Sequence, residues 1–222
     1  MGQPLVPRDL HSLLARRCRL FGLKGMTGVA LGGLDMALWD TWARALGQPL
    51  VRALGAQPRP LKAYNSVGLY DADSVVEIAG ETRAAGFAGL KIKVGFDTLA
   101  QDLAAVRAAR RALGDGIALM VDYNQSLNPT EALHRCRALD EEGLTWIEEP
   151  VLADDLASCA RVAQAVKTPI QIGENFHGPV EMRAAIDARA MDLVMPDPQY
   201  IQGVTGWLDA AALAHVAGLP MS

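Results

Sequence analysis

The chain has 222 residues, half of them hydrophobic, and a formal net charge of −4. That is enough apolar material for a sizeable core. It offers no basic footprint for nucleic acid and no polybasic patch for a membrane surface. Cys18, Cys136 and Cys159 form neither a metal-spaced cluster nor an even disulfide set, so they read as reduced thiols of a cytoplasmic protein.

The N-terminal Met1-Gly2-Gln3-Pro4 lacks a basic-then-apolar signal pattern. Residues 8–57 read as helical. Leu10, Leu13, Leu14 and Cys18 recur at helical spacing, and Val29–Leu46 is a second run ending at Gly47. Asp35, Asp40 and Arg44 interrupt the apolar stretch 26–46, so it is not a membrane span. Pro49 opens a short helix ending near Gly55.

From residue 60 the pattern becomes short apolar strands alternating with amphipathic helices. Strands are expected at 61–66, 88–94, 117–123, 144–148, 169–173 and 191–196. Helices are expected near 72–86, 97–113, 129–142, 154–166, 179–188 and 205–217. Such βαβ repetition predicts a parallel sheet covered on both faces. The fold class is therefore α/β, a partial TIM-type (β/α) barrel of about six βα units. Leu219–Ser222 reads as the start of a seventh strand. A barrel needs its remaining strands to close, so the chain is expected to be part of a longer polypeptide or to rely on another chain.

In such barrels, functional groups project from the C-terminal strand ends. Those ends carry Ser66, Lys91 and Lys93, Asp122 and Asn124, Glu148 and Glu149, Glu174, and Asp197. Asp122, Glu148 and Glu174 are spaced 26 and 26 residues apart (148 − 122; 174 − 148), one carboxylate per successive unit. Three carboxylates without His or Cys suit a hard cation, Mg²⁺ or Mn²⁺. Period-2 geometry puts Lys91 and Lys93 on one face of their strand. Two adjacent ammonium groups depress each other's pKa, which suits a lysine to general-base work. Glu149 also fits a solvated loop, Asp197 before Pro198 a turn opener, and Ser66 ordinary turn chemistry. His177, after G-E-N-F in a loop on the active face, fits a substrate contact but reads better as a solvated loop residue.

K-I-K at 91–93, V-D-Y-N-Q-S at 121–126, W-I-E-E-P at 146–150, G-E-N at 173–175, M-P-D at 195–197 and G-V-T-G-W at 203–207 resemble the enolase superfamily, and within it the mandelate racemase subgroup. The resemblance implies a capping-domain helical piece over 1–59 and an incomplete catalytic barrel over 60–222. It implies Mg²⁺ on Asp122, Glu148 and Glu174, Lys93 as the base on one substrate face, and Lys91 tuning it while contacting the substrate carboxylate. Ser66 and Asn124 would touch substrate, and Asp197 would orient a histidine acting on the opposite face. That histidine is expected beyond Ser222. The implied reaction is abstraction of the proton α to a carboxylate through an enediolate. The outcome would be racemisation of a 2-hydroxy acid or, alternatively, dehydration of a sugar acid; a catalytically incomplete homologue is the third expectation. A homo-oligomer is also implied. Gln202 departs from the pattern, where relatives usually carry glycine.

Overall fold

The computed structural model describes residues 4–222; Met1–Gln3, part of the N-terminal stretch without a signal pattern, lie outside the described residues. The chain divides into two compact units. One comprises Met1–Pro60, Gly173–Asp187 and Val194–Ser222, the other Leu61–Ile172 and Ala188–Leu193.

The first unit holds α1 (Pro7–Cys18), α2 (Gly25–Ala45) and α3 (Leu50–Ala53). The expected helical stretch 8–57 is thus helical with two breaks, at 19–24 and 46–49, and stops at Ala53, with 54–57 outside any helix. No helix is long and apolar enough to cross a membrane, among the described residues. This unit also holds α8 (Pro179–Asp187) and α9 (Gly203–Ala217). The buried Asp35 of α2 accepts from the Thr205 backbone N–H at 2.8 Å and from Thr205 Oγ1 at 2.7 Å, tying α2 to α9. Trp39 Nε1 donates to the same Thr205 hydroxyl at 2.9 Å. Gln202 precedes α9 at φ +74°, the left-handed region. That conformation favours glycine, which explains the glycine expected there. Gln202 instead uses its side chain, with Nε2 donating to Leu23 O at 3.0 Å. A parallel bridge between Val194 and Met221 matches the expected start of a seventh strand.

The second unit carries the sheet. In chain order the elements are β1 (Tyr64–Leu69), α4 (Ser74–Ala84), β2 (Gly89–Lys93), α5 (Leu99–Leu113), β3 (Ala118–Asp122), α6 (Pro129–Leu139), β4 (Ile147–Glu148), α7 (Leu156–Ala165), β5 (Ile170–Ile172) and β6 (Leu193–Val194), β6 beginning in this unit. The sheet order among the described residues is β1-β2-β3-β4-β5-β6. Strands β1 to β5 pair in parallel, each with its predecessor. This is the consecutive order of a (β/α) barrel.

Local chemistry sets the helix starts. Thr98 and Gln101 form a reciprocal capping box on α5, and Asn128 and Asp155 cap α6 and α7. Leu90, Ile92, Leu119, Val121, Ile147 and Ile170 are fully buried. Their neighbours along the strands therefore share the other face.

Three strands depart most from expectation, β4 and β6 by shrinking to two residues each and β1 by its start. β1 begins three residues later than the predicted 61–66, so Ser66 lies inside the strand, opposite Lys91, and not at its C-terminal end. The apolar start at Leu61 suggested an earlier strand, but the ladder follows the register with β2, where Tyr64 meets Gly89.

Candidate active site

Parallel register aligns Lys93 with Asp122, Asp122 with Glu148, and Glu148 with Gln171. Partners in register point to one face, so four polar side chains form a row across β2 to β5. Lys91 lies two residues earlier on the same face. It is buried, and its Nζ donates to Asp122 Oδ2 at 3.2 Å and to Glu148 Oε1 at 2.5 Å. Glu148, only 1 % exposed, uses its other oxygen to accept from Trp146 Nε1 at 3.0 Å and Gln171 Nε2 at 2.9 Å. Asp122 accepts from the Asn124 backbone N–H at 2.8 Å and from Asn124 Nδ2 at 3.1 Å. Lys93, at the end of β2, is exposed.

Burial disfavours the Lys91 ammonium, but Glu148 and then Asp122 outweigh it and hold its pKa above the ordinary 10.5. The expectation of a depressed Lys91 is therefore corrected: two buried carboxylates flank it and favour its charged form. Burial also holds Glu148 above the usual carboxylate range. Lys91 opposes that shift and the charge of Asp122 adds to it. The two directions are compatible, because two carboxylates share one ammonium and a net negative charge remains. A donor set of buried carboxylate oxygens with residual negative charge fits a hard cation.

The strand exits are strained. Asn124, Gln125 and Glu149 have φ of +44°, +63° and +40°, a region that costs a non-glycine residue about 1 kcal/mol or more. Hydrogen bonds hold them there. Gln125 Nε2 donates to Glu149 Oε2 at 3.2 Å, and Gln125 Oε1 accepts from the Ala153 backbone N–H at 2.9 Å. Glu149 is 1 % exposed, which corrects its placement in a solvated loop. The sharp turn after Glu148 folds it inward.

In the first unit, Glu174 is half-buried and follows Gly173, whose φ is +140°. A Cβ on Gly173 would come within 2.9 Å of Met195 N, so only glycine lets the chain pass so close. Asp197 Oδ1 accepts the backbone N–H of Gln199 at 2.7 Å and of Tyr200 at 3.3 Å, the turn its position before Pro198 also allowed. His177 is half-buried rather than a freely solvated loop residue. Its ring packs edge-on against Tyr200 at 5.4 Å, and its Nδ1 is buried without a hydrogen-bond partner.

Residues 74–222 match the family described as enolase C-terminal domain-like. The chain belongs to the enolase superfamily. This enolase-superfamily chain is 36% identical over 200 residues to L-talarate/galactarate dehydratase of Salmonella typhimurium, covering 89% of the chain and 50% of that protein. It is 32% identical over 192 residues to L-Ala-D/L-Glu epimerase of Bacillus subtilis, covering 86% of the chain and 52% of that enzyme. An enolase from Bradyrhizobium complexed with magnesium and mandelic acid aligns with a TM-score of 0.95 at 43% identity, over 99% of this chain and 61% of that one. The chain spans about half the length of the curated relatives it matches.

Two supports of the enolase-superfamily strand ends are not evident from motif spacing alone. Gln171 is a lone polar residue inside the apolar P-I-Q-I of β5, and strand parity places it on the face of Glu148. Trp146 is buried as an aromatic core residue should be, yet its indole N–H serves Glu148. Two-residue spacing from the glutamate was the available signal.

Proposed function

We propose that this chain supplies the proton-abstracting part of a Mg²⁺-dependent enzyme acting α to the carboxylate of a 2-hydroxy acid, with racemisation as the outcome. One observation carries this: Lys91 is locked between Asp122 and Glu148 while Lys93 stands beside Asp122 in the same row. The site thus combines an under-neutralised carboxylate pair with an exposed amine.

Asp122, Glu148 and Glu174 would hold Mg²⁺ or, in its place, Mn²⁺. Their spacing of one carboxylate per βα unit supports this. When bound, the ion offsets negative charge developing on the substrate carboxylate. Lys93 takes the α-proton at Nζ, and the substrate becomes an enediolate. Lys91 keeps its proton, because Glu148 and Asp122 favour the charged form, and faces the substrate carboxylate as a fixed positive charge. Ser66 and Asn124 contact substrate. Asp197 orients a histidine that serves the other face. Residues 1–59 belong with a capping domain and 60–222 with the catalytic barrel. The unpaired cysteines Cys18, Cys136 and Cys159 support a cytoplasmic site of action, and the family resemblance supports a homo-oligomer.

Dehydration of a sugar acid is the second reading, favoured by the likeness to the talarate/galactarate dehydratase. It shares the first step. Incubation in D₂O with Mg²⁺ tests both. Exchange of the α-hydrogen of mandelate without loss of hydroxyl supports racemisation. Release of a 2-keto acid from talarate or galactarate supports dehydration. In a longer protein that also carries the opposite-face histidine, Lys93→Ala is expected to abolish exchange from one enantiomer only. No exchange from any of these acids by the unsubstituted protein overturns both readings.

A further inference from the structure

A second buried ionic cluster lies beside the lysine strand, centred on Asp102 rather than on the carboxylate row. Asp102, in the first turn of α5, is fully buried, with Tyr123 and Arg135 almost so. Asp102 Oδ1 accepts the backbone N–H of Gly95 and of Phe96, both at 2.9 Å. Its Oδ2 accepts from Arg135 Nη1 at 2.8 Å and from the Tyr123 hydroxyl at 3.2 Å. Arg135, on α6, also donates to Phe96 O at 2.7 Å, to Asp97 O at 3.3 Å and to Glu131 at 2.6 Å.

A buried ion pair is a weak device for stability, since well-packed apolar residues often do as well. The targets of this pair are more telling. Gly95, Phe96 and Asp97 are the segment that leaves β2 directly after Lys93, and the cluster grips both their N–H and their C=O groups. Tyr123 is the residue after Asp122. Between the two, the Val94 N–H donates to Asp122 O at 3.0 Å. Gly95 sits at φ +104°, and an added Cβ would meet Ser126 Oγ at 2.8 Å, so the segment passes tightly over the exit of β3. One ionic centre therefore fixes the exits of both strands that carry the amine and its carboxylate neighbour.

We infer that Asp102 and Arg135, bridged to Tyr123, are positioning residues that set where Lys93 stands against Asp122. The inference rests on Lys93 being the base. Freeing the 95–97 segment lets the end of β2 shift, and misplacement of a catalytic group by about 1 Å can cost a hundredfold in rate. Substrate affinity, set by other groups, changes little.

Two variants and two measurements test this. Tyr123→Phe removes one hydroxyl and keeps the packing; Asp102→Asn keeps an acceptor for the loop amides and removes the charge. With kinetics taken well below each unfolding midpoint, kcat for α-hydrogen exchange should fall about tenfold and about a hundredfold respectively, with KM within about twofold. An unchanged kcat, or a loss confined to KM, overturns the inference. Independently of turnover, lysines carrying ¹³C-methyl groups are compared by NMR. The Lys93 signal should shift or broaden in both variants while those of Lys62 and Lys167 stay put. A Lys93 signal identical to that of the parent overturns the inference. If the parent protein exchanges no substrate, the base assignment fails, and the NMR comparison alone decides whether the cluster positions Lys93. If Asp102→Asn does not fold, Tyr123→Phe decides.

Discussion

Lys91 and Lys93 differ by two positions in sequence and by their whole environment in the fold. Lys91 is buried among carboxylates and Lys93 is exposed at the strand end. Removing the buried ammonium leaves Asp122 and Glu148 facing each other out of water. Lys91→Met should therefore lower unfolding free energy by about 3–5 kcal/mol at neutral pH, as for other broken buried pairs, measured by urea denaturation. The pH dependence carries a sign. Folding raises the Lys91 pKa, so its contribution is fully present below the ordinary 10.5 and is lost as pH climbs through the higher folded value. The parent should lose stability in that alkaline range more steeply than Lys91→Met does. Parallel slopes for the two proteins would show that Lys91 is not held by the carboxylates.

Helices were the most legible elements, because their ends carry local chemistry. Asn128-Pro129 opens α6: the Asn128 side chain accepts from the backbone N–H groups of Thr130 at 3.1 Å and Glu131 at 3.0 Å. Asn128→Ala should cost about 1 kcal/mol, read from the urea midpoint at unchanged slope. The strands were legible as apolar runs, but their limits depend on pairing across the sheet. β4 and β6 contract to two residues each, and β1 slides three residues onto its β2 register. The carboxylate spacing was legible for the same reason as the strands: each βα unit repeats at a nearly constant length, so equivalent strand ends recur at equal intervals. Pairings between distant side chains were not. Nothing local to Glu149 says that Gln125, 24 residues earlier, draws it inward.

At the scale of the molecule, membership of the enolase superfamily rests on a match over residues 74–222 and on high structural likeness to solved relatives. The proposed metal set draws one carboxylate from each of three successive βα units. Its assembly is therefore a property of tertiary structure, and a ligand that binds only the assembled set stabilises the fold by mass action. Titration with Mg²⁺ should raise the thermal midpoint, with about 2.7 kcal/mol gained at a hundredfold excess over Kd. Glu148→Gln should abolish most of that gain. A midpoint indifferent to Mg²⁺ would remove the three-carboxylate assignment.

The left-handed residues at the exits of β3 and β4 narrow the evolutionary routes open to this site. At position 124 a glycine would relieve the backbone, yet it would delete the amide that Asp122 accepts. Other side chains would keep the strain and forfeit the bond, and the same holds for the Gln125–Glu149 pair. Single substitutions at these exits thus trade conformational ease against a polar contact beside the carboxylate row. Substitution is freer on the solvent faces of the helices than where β3 and β4 end.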